Sequence, residues 1–191
     1  QPVMPTQIGV KIIEQARQVL KQTKSIEDLV LMNKGQVAGE FRLGVIPSLS
    51  PYVLPLFIPE FTKKFPNVHL IIDESLTDQI IEKLRHDSLD AGLLATPLHH
   101  DFILEIPVFY EPFWLYLSPQ HPLYKNKKVK AGEINADDLW LPRDGHCFRG
   151  QALQLCKKRK GASTKSLEVE AGSLDVLKAF VDHDLGMTLL P

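Results

Sequence analysis

The residues best suited to chemistry in this chain are Asp144-Gly145-His146-Cys147-Phe148-Arg149, followed by Gln-Ala-Leu-Gln-Leu and then Cys156. They include both cysteines of the 191-residue chain. A cysteine reacts as its thiolate, so the surroundings that favour charge decide reactivity. Cys147 falls at an expected helix N-terminus, where free N–H groups and the helix dipole attract negative charge. His146 precedes it and can hydrogen-bond or carry a positive charge. Arg149 lies within one helical turn. Asp144 opposes the thiolate unless it caps the turn. Such a thiol is a candidate for oxidation to a sulfenic acid, which a second thiol can resolve to a disulfide.

The spacing limits how that could happen. The pattern predicts a helix from about Cys147 to Lys160. On one helix, nine steps of about 1.5 Å separate the two cysteines by about 13 Å. They also point about 180° apart. A disulfide needs Cα atoms within about 7 Å. Closing the pair therefore requires residues 147–156 to melt or rebuild. A bond that forms only with refolding turns thiol chemistry into a conformational signal. Two other readings of the cysteines stay open at this point. They are inert buried residues, as free cysteines often are, or zinc ligands with His146. The zinc reading is short of local ligands, and the spacing fits no common template.

Ser48 and Ser50 follow the first expected strand at a helix start, and Thr77 stands after the second strand. Ligands of open parallel sheets collect at the carboxyl ends of strands. The three hydroxyls therefore read either as a small polar site or as helix caps. No Ser-His-Asp order, dinucleotide fingerprint or Walker motif is present. The His99-His100 pair and the Lys157-Lys158-Arg159-Lys160 run read as solvated surface.

The elements that must position these residues follow from periodicity. Residues 6–32 read as one helix capped by Thr6, with Ile12, Ala16, Val19, Thr23, Ile26 and Val30 spaced as a heptad seam. A linker follows at 33–36. Strands are expected at 40–46, 68–74 and 89–95, and helices over 51–65 and from Thr77. Ser50 and Thr77-Asp78 are the candidate caps, and Pro59 should kink the first of these helices. Strands alternating with helices imply a parallel sheet. A second subdomain then begins, with strands at 103–109 and 113–117. A basic loop, Lys125 to Lys130, follows. Beyond the cysteine helix come a strand at 167–170, a helix from Ser173 to Asp182, and a strand at 186–190. The fold class is α/β, with mixed sheets.

Composition narrows the function. Hydrophobic residues make up 44% and charged residues 24%, with a net charge of −1. So neutral a chain has no general electrostatic attraction to nucleic acid. No run approaches the length of a membrane span, and the first residues do not read as a secretory signal. Two cysteines do not make a structural disulfide framework, so a reducing cytoplasm is the expected setting.

The order of elements resembles the LysR-type transcriptional regulators. Pro5-Thr6-Gln7-Ile8-Gly9 and the helix after it are similar to the family's linker helix. Gly39-Glu40-Phe41-Arg42-Leu43-Gly44-Val45-Ile46-Pro47, the Leu54-Pro55 helix, Phe65-Pro66-Asn67-Val68 and Leu89-Asp90-Ala91-Gly92 resemble its regulatory domain. The resemblance spans nearly the whole chain. It narrows to the peroxide-sensing OxyR type on Asp144-Gly145-His146-Cys147-Phe148-Arg149, Cys156 and Gly186-Met187-Thr188-Leu189-Leu190-Pro191. It implies two Rossmann-like, periplasmic-binding-protein-like subdomains behind a linker helix. The boundaries are 1–38 for the end of the winged-helix region and linker helix, 39–113 for subdomain I, and 114–191 for subdomain II with the cysteines. It implies that Cys147 is the peroxidatic and Cys156 the resolving cysteine, that His146 and Arg149 tune the thiolate, and that Ser48 and Thr77 line the peroxide pocket. Gly150 stands where a familiar OxyR sequence has Asp, so no acidic role is carried over there. The family continues past Pro191 with a strand and helix that return to subdomain I, including a pocket arginine.

The partners the resemblance implies are hydrogen peroxide, promoter DNA through an N-terminal domain outside this chain, RNA polymerase, further copies in a homodimer or homotetramer, and a thiol reductant such as glutaredoxin or thioredoxin. No cofactor, metal or membrane is expected, and the chain is expected not to be an enzyme. Two further functions remain open. One is a LysR-type regulator that binds a small effector in the inter-subdomain cleft. The other is a thiol peroxidase, although nothing in the chain resembles a peroxiredoxin motif.

Overall fold

A computed structural model describes residues 3–33, 37–135, 138–156, 169 and 171–191. The expected helix residues 157–160, with their basic run, and the expected strand at 167–170, apart from Val169, lie outside the described residues. So do residues 34–36 of the expected linker. The chain divides into two compact units, Gln1–Val45 with Leu49–Leu93, and Ile46–Ser48 with Leu94–Pro191.

The first unit opens with helix α1 (Gln7–Asn33). Thr6 caps it as expected, with the Gly9 N–H donating to Thr6 Oγ1 at 3.1 Å. Strands β1 (Gly39–Val45), β2 (Val68–Glu74) and β3 (Ala91–Leu93) form a parallel sheet in the order β2-β1-β3. Helices α2 (Ser50–Lys64) and α3 (Thr77–Arg85) connect them. Central strand β1 runs in register with β2 from Gly39 against Val68 to Val45 against Glu74. Its Gly44 has no room for a side chain, since a Cβ there would lie 2.6 Å from Leu89 Cδ1 and 3.0 Å from Ile80 Cγ2. Val45, Ile80 and Leu89 are buried around it. Helix α2 stays one element through Pro55 and Pro59, with Phe57 edge-on to Phe61 at a ring distance of 6.3 Å and Phe61 tilted against Phe65 at 5.2 Å.

Both helix starts differ from expectation by one residue. Leu49, not Ser50, is the N-cap of α2, because its buried side chain ends the turn and its carbonyl accepts from the Tyr52 and Val53 N–H groups. Leu76, not Thr77, is the N-cap of α3, and Gln79 Oε1 accepts from its N–H at 3.1 Å. No side-chain hydroxyl caps either helix.

The second unit holds a mixed sheet in the order β4-β6-β5, from β4 (Trp114–Leu117), β5 (Leu139–Trp140) and β6 (Met187–Leu190). Strand β6 is antiparallel to β4 and parallel to β5. Helix α4 (Cys147–Leu155) and helix α5 (Leu174–Asp182) complete the unit. Ser173 caps α5 as expected, accepting from the Asp175 N–H at 3.1 Å. Leu174, Leu177 and Val181 of α5, Leu139, Met187 and Leu189 of the sheet, and Phe148 and Ala152 of α4 form one core.

The expected strand at 103–109 is not formed. Its alternating pattern is present, but these residues make no ladder with any described strand. Leu104, Ile106, Val108 and Tyr110 are instead 70 to 89% exposed. Alternation alone makes an extended segment, and a strand also needs a partner edge. Among the described residues, no helix is long and apolar enough to cross a membrane.

Candidate functional site

The approach to α4 is set by a turn at Asp144-Gly145. Gly145 has φ +92°, a conformation that glycine adopts without a Cβ penalty. His146 then serves as the N-cap in extended conformation, with its side chain buried and making no capping bond. Cys147 is the first helical residue, so its backbone belongs to the turn whose N–H groups have no intrahelical acceptor. The first-turn Arg149 N–H reaches back to the His146 carbonyl at 3.0 Å.

Arg149 is engaged with the incoming loop. Its Nε lies 2.7 Å from Asp144 Oδ1, and Nη1 donates to the Pro142 carbonyl at 3.0 Å. Asp144 therefore neither caps the helix nor stands as a lone negative charge beside the thiol. It is 93% exposed, so the ion pair itself stabilises by less than about 1 kcal/mol. The gain is in position, because the guanidinium pins residues 142–144 to the first turn of α4. Pro142 is fixed from the other side by its bridge to Ala171.

Both cysteines are free and half-buried. Cys156 is the C-cap of α4, in extended backbone, so the two stand at opposite ends of the helix. Its Sγ–H donates to the Ala152 carbonyl at 3.3 Å. Burial pushes this thiol above its ordinary pKa. Burial thus favours the neutral thiol at Cys156.

The helix between them is lightly held. It has nine residues, and isolated helices below about 12–15 residues are marginal. Of its side chains, only Phe148 and Ala152 are fully buried. Phe148 packs on Phe113 at a ring distance of 5.2 Å. Burying a phenylalanine contributes about 1.5–3 kcal/mol, and the ring pair about 0.5–1.5 kcal/mol. Gly150 costs about 1 kcal/mol relative to alanine.

The structure therefore brings His146, Cys147 and Arg149 together on one helix start. Buried Ser48 belongs to the same compact unit. Thr77 belongs to the first unit. Its Oγ1 is enclosed with no hydrogen-bond partner among the described residues. Among the described residues, no group of three or more His, Cys, Asp or Glu could hold a metal ion. Sequence reasoning missed the partners of Arg149 and the Phe113 contact of Phe148. The acid five residues before Arg149 was the one visible signal for the ion pair.

Residues 34–191 match the family model of the LysR substrate binding domain. Over 189 residues the chain is 32% identical to the hydrogen peroxide-inducible genes activator of Haemophilus influenzae, covering 99% of this chain and 62% of that protein. The chain thus spans under two thirds of that relative's length. The reduced form of the OxyR regulatory domain from Pseudomonas aeruginosa superposes with a TM-score of 0.70 at 32% identity, covering 82% of this chain and 74% of that one. The crystal structure of the oxidised form of OxyR superposes at 0.66 and 32% identity, covering 81% and 72%. The chain belongs to the LysR substrate-binding domain family, in its OxyR branch.

Proposed function

We propose that this chain is the redox-sensing regulatory part of a DNA-binding transcription activator that responds to hydrogen peroxide. Two free thiols at the ends of one short, lightly held helix carry the reading. The Cys147 thiolate attacks one peroxide oxygen, breaking the O–O bond, forming a sulfenic acid and releasing hydroxide. The Cys156 thiol then attacks the sulfenic sulfur, forming the Cys147–Cys156 disulfide and releasing water. With the cysteines about 13 Å apart on an intact helix, the second step requires residues 147–156 to leave helical geometry. The refolded segment alters the packing of the unit that carries it.

In this reading His146 and Arg149 position the helix start and favour the thiolate, and Ser48 and Thr77 line the peroxide pocket. The Thr77 hydroxyl, enclosed with no hydrogen-bond partner among the described residues, supports a polar ligand beside it. Residues 1–38 link to a DNA-binding domain outside this chain, 39–113 form the first regulatory subdomain and 114–191 the second. The assembly is a homodimer or homotetramer in the cytoplasm. It rearranges on oxidation, changes its promoter contacts and engages RNA polymerase, and a thiol reductant such as glutaredoxin or thioredoxin resets it. The chain senses stoichiometrically and does not turn over peroxide. Peroxide titration with thiol counting tests this. One equivalent should consume both thiols, and continued consumption with a reductant at enzymatic rates would make the chain a peroxidase instead.

A further inference from the structure

Gly150 lies in the middle of α4, between the cysteines. Apart from its chain neighbours and the helix's own backbone, no heavy atom of the described residues lies within 4 Å of a Cβ built there, and its φ is not in the left-handed region. Among the described residues, neither close packing nor backbone conformation therefore calls for a glycine. Its remaining physical effect is on the helix itself, since glycine is the poorest helix former after proline and the freest residue once the helix is lost.

We infer that Gly150 sets the redox poise of the Cys147–Cys156 pair by weakening the helix that must open for the disulfide to close. This rests on the proposed peroxide-driven disulfide. Hydrogen peroxide supplies the oxidising equivalents, and Cys156 displaces the sulfenic oxygen as water. Gly150 takes no part in either bond change. It lies outside the first reaction and acts on the second, through the population of open α4 and the ease of bringing the two sulfurs together in the open chain.

The magnitude follows from helix propensity. An alanine at 150 should favour the closed helix about fivefold, which is about 1 kcal/mol. The dithiol is then favoured over the disulfide by the same factor. For a two-electron couple tenfold is about 30 mV, so the midpoint potential rises by about 20 mV. The rate at which Cys147 becomes sulfenic acid should not change.

The test is a thiol redox titration of wild type, Gly150→Ala and Gln154→Gly, with stopped-flow measurement of the two oxidation steps. Gln154 is exposed on the same helix, so a glycine there should move the potential the opposite way by about twofold. The expected result is a higher potential and slower closure for Gly150→Ala, a lower potential for Gln154→Gly, and in the double variant a potential between those two, about 10 mV above wild type because about 2.5-fold of the shift remains. Sulfenic acid formation should be equal in all four proteins. A wild-type disulfide with the same potential in every variant overturns the role of Gly150 alone. A wild-type protein that forms no disulfide overturns the underlying reading as well.

Discussion

At the residue scale, the two cysteines differ in kind. Cys147 is the first helical residue of α4, whereas Cys156 is a half-buried thiol held by the Ala152 carbonyl at its other end. Cys147→Ser should abolish the peroxide response, and Cys156→Ser should leave a sulfenic acid on Cys147 that a dimedone probe labels. Because burial raises the Cys156 pKa, its thiolate is scarce at neutral pH. That burial is lost when α4 opens, so disulfide closure should accelerate with rising pH, as the open Cys156 thiol ionises in the range of an ordinary thiol, which rapid-quench mass analysis would report. Arg149→Gln should release the 142–144 loop from α4 and slow Cys147 oxidation, with little loss of thermal stability, because its ion pair is largely exposed. The cysteine pair and Arg149 were legible because type and spacing are local facts. The partner of Arg149 was not. Whether Asp144 caps or pairs depends on the left-handed turn at Gly145 and on where Pro142 is held, and Ala171 fixes that from 29 positions away.

At the element scale, the ties between strand and helix decide stability. Lys83 of α3 donates to both carboxylate oxygens of Asp73 on β2 at 2.8 and 2.7 Å, and to Ser75 Oγ at 2.8 Å. Ser75 also donates to Asp73. The hydrogen bond from Lys83, then that from Ser75, holds the Asp73 pKa below its ordinary 3.8. A carboxyl depressed on folding stabilises fully above its unfolded pKa, and this is lost as pH falls through the folded value. Lys83→Met should therefore lose stability at neutral pH, by less than about 1 kcal/mol given the partial exposure. It should also show a shallower decline than wild type below pH 3.8 in urea denaturation. Gly44→Val should be more damaging, since it drives a side chain into Leu89 and Ile80, and overpacking costs about 1–3 kcal/mol. The alternation of strand and helix in the first unit was readable from periodicity. The segment at 103–109 was read as a strand because its alternation is real, but pairing is not encoded in one strand. The Ser50 and Thr77 caps failed for a similar reason, as the chain enters both helices through leucines.

At the scale of the whole molecule, the sequence pointed to two α/β units, and the comparisons agree with that class. The mixed sheet of the second unit was less legible, because β6 closes it from the far end of the chain, pairing with β4 and β5 at once. The apolar residues of α1 also have meaning only at this scale. Ile8, Ile12, Val19 and Ile26 are each at least 60% exposed, and the proposed homodimer or homotetramer would use them for packing against another copy. Ile12→Asp with Val19→Asp should weaken self-association, read as a lower mass by light scattering at unchanged helicity. The central claim is the switch itself, and intact-mass analysis after one equivalent of peroxide, without reductant, addresses it most directly. The account predicts a monomeric chain lighter by about 2 Da, with peptide mapping joining Cys147 to Cys156. Two free thiols surviving in a folded protein would contradict it.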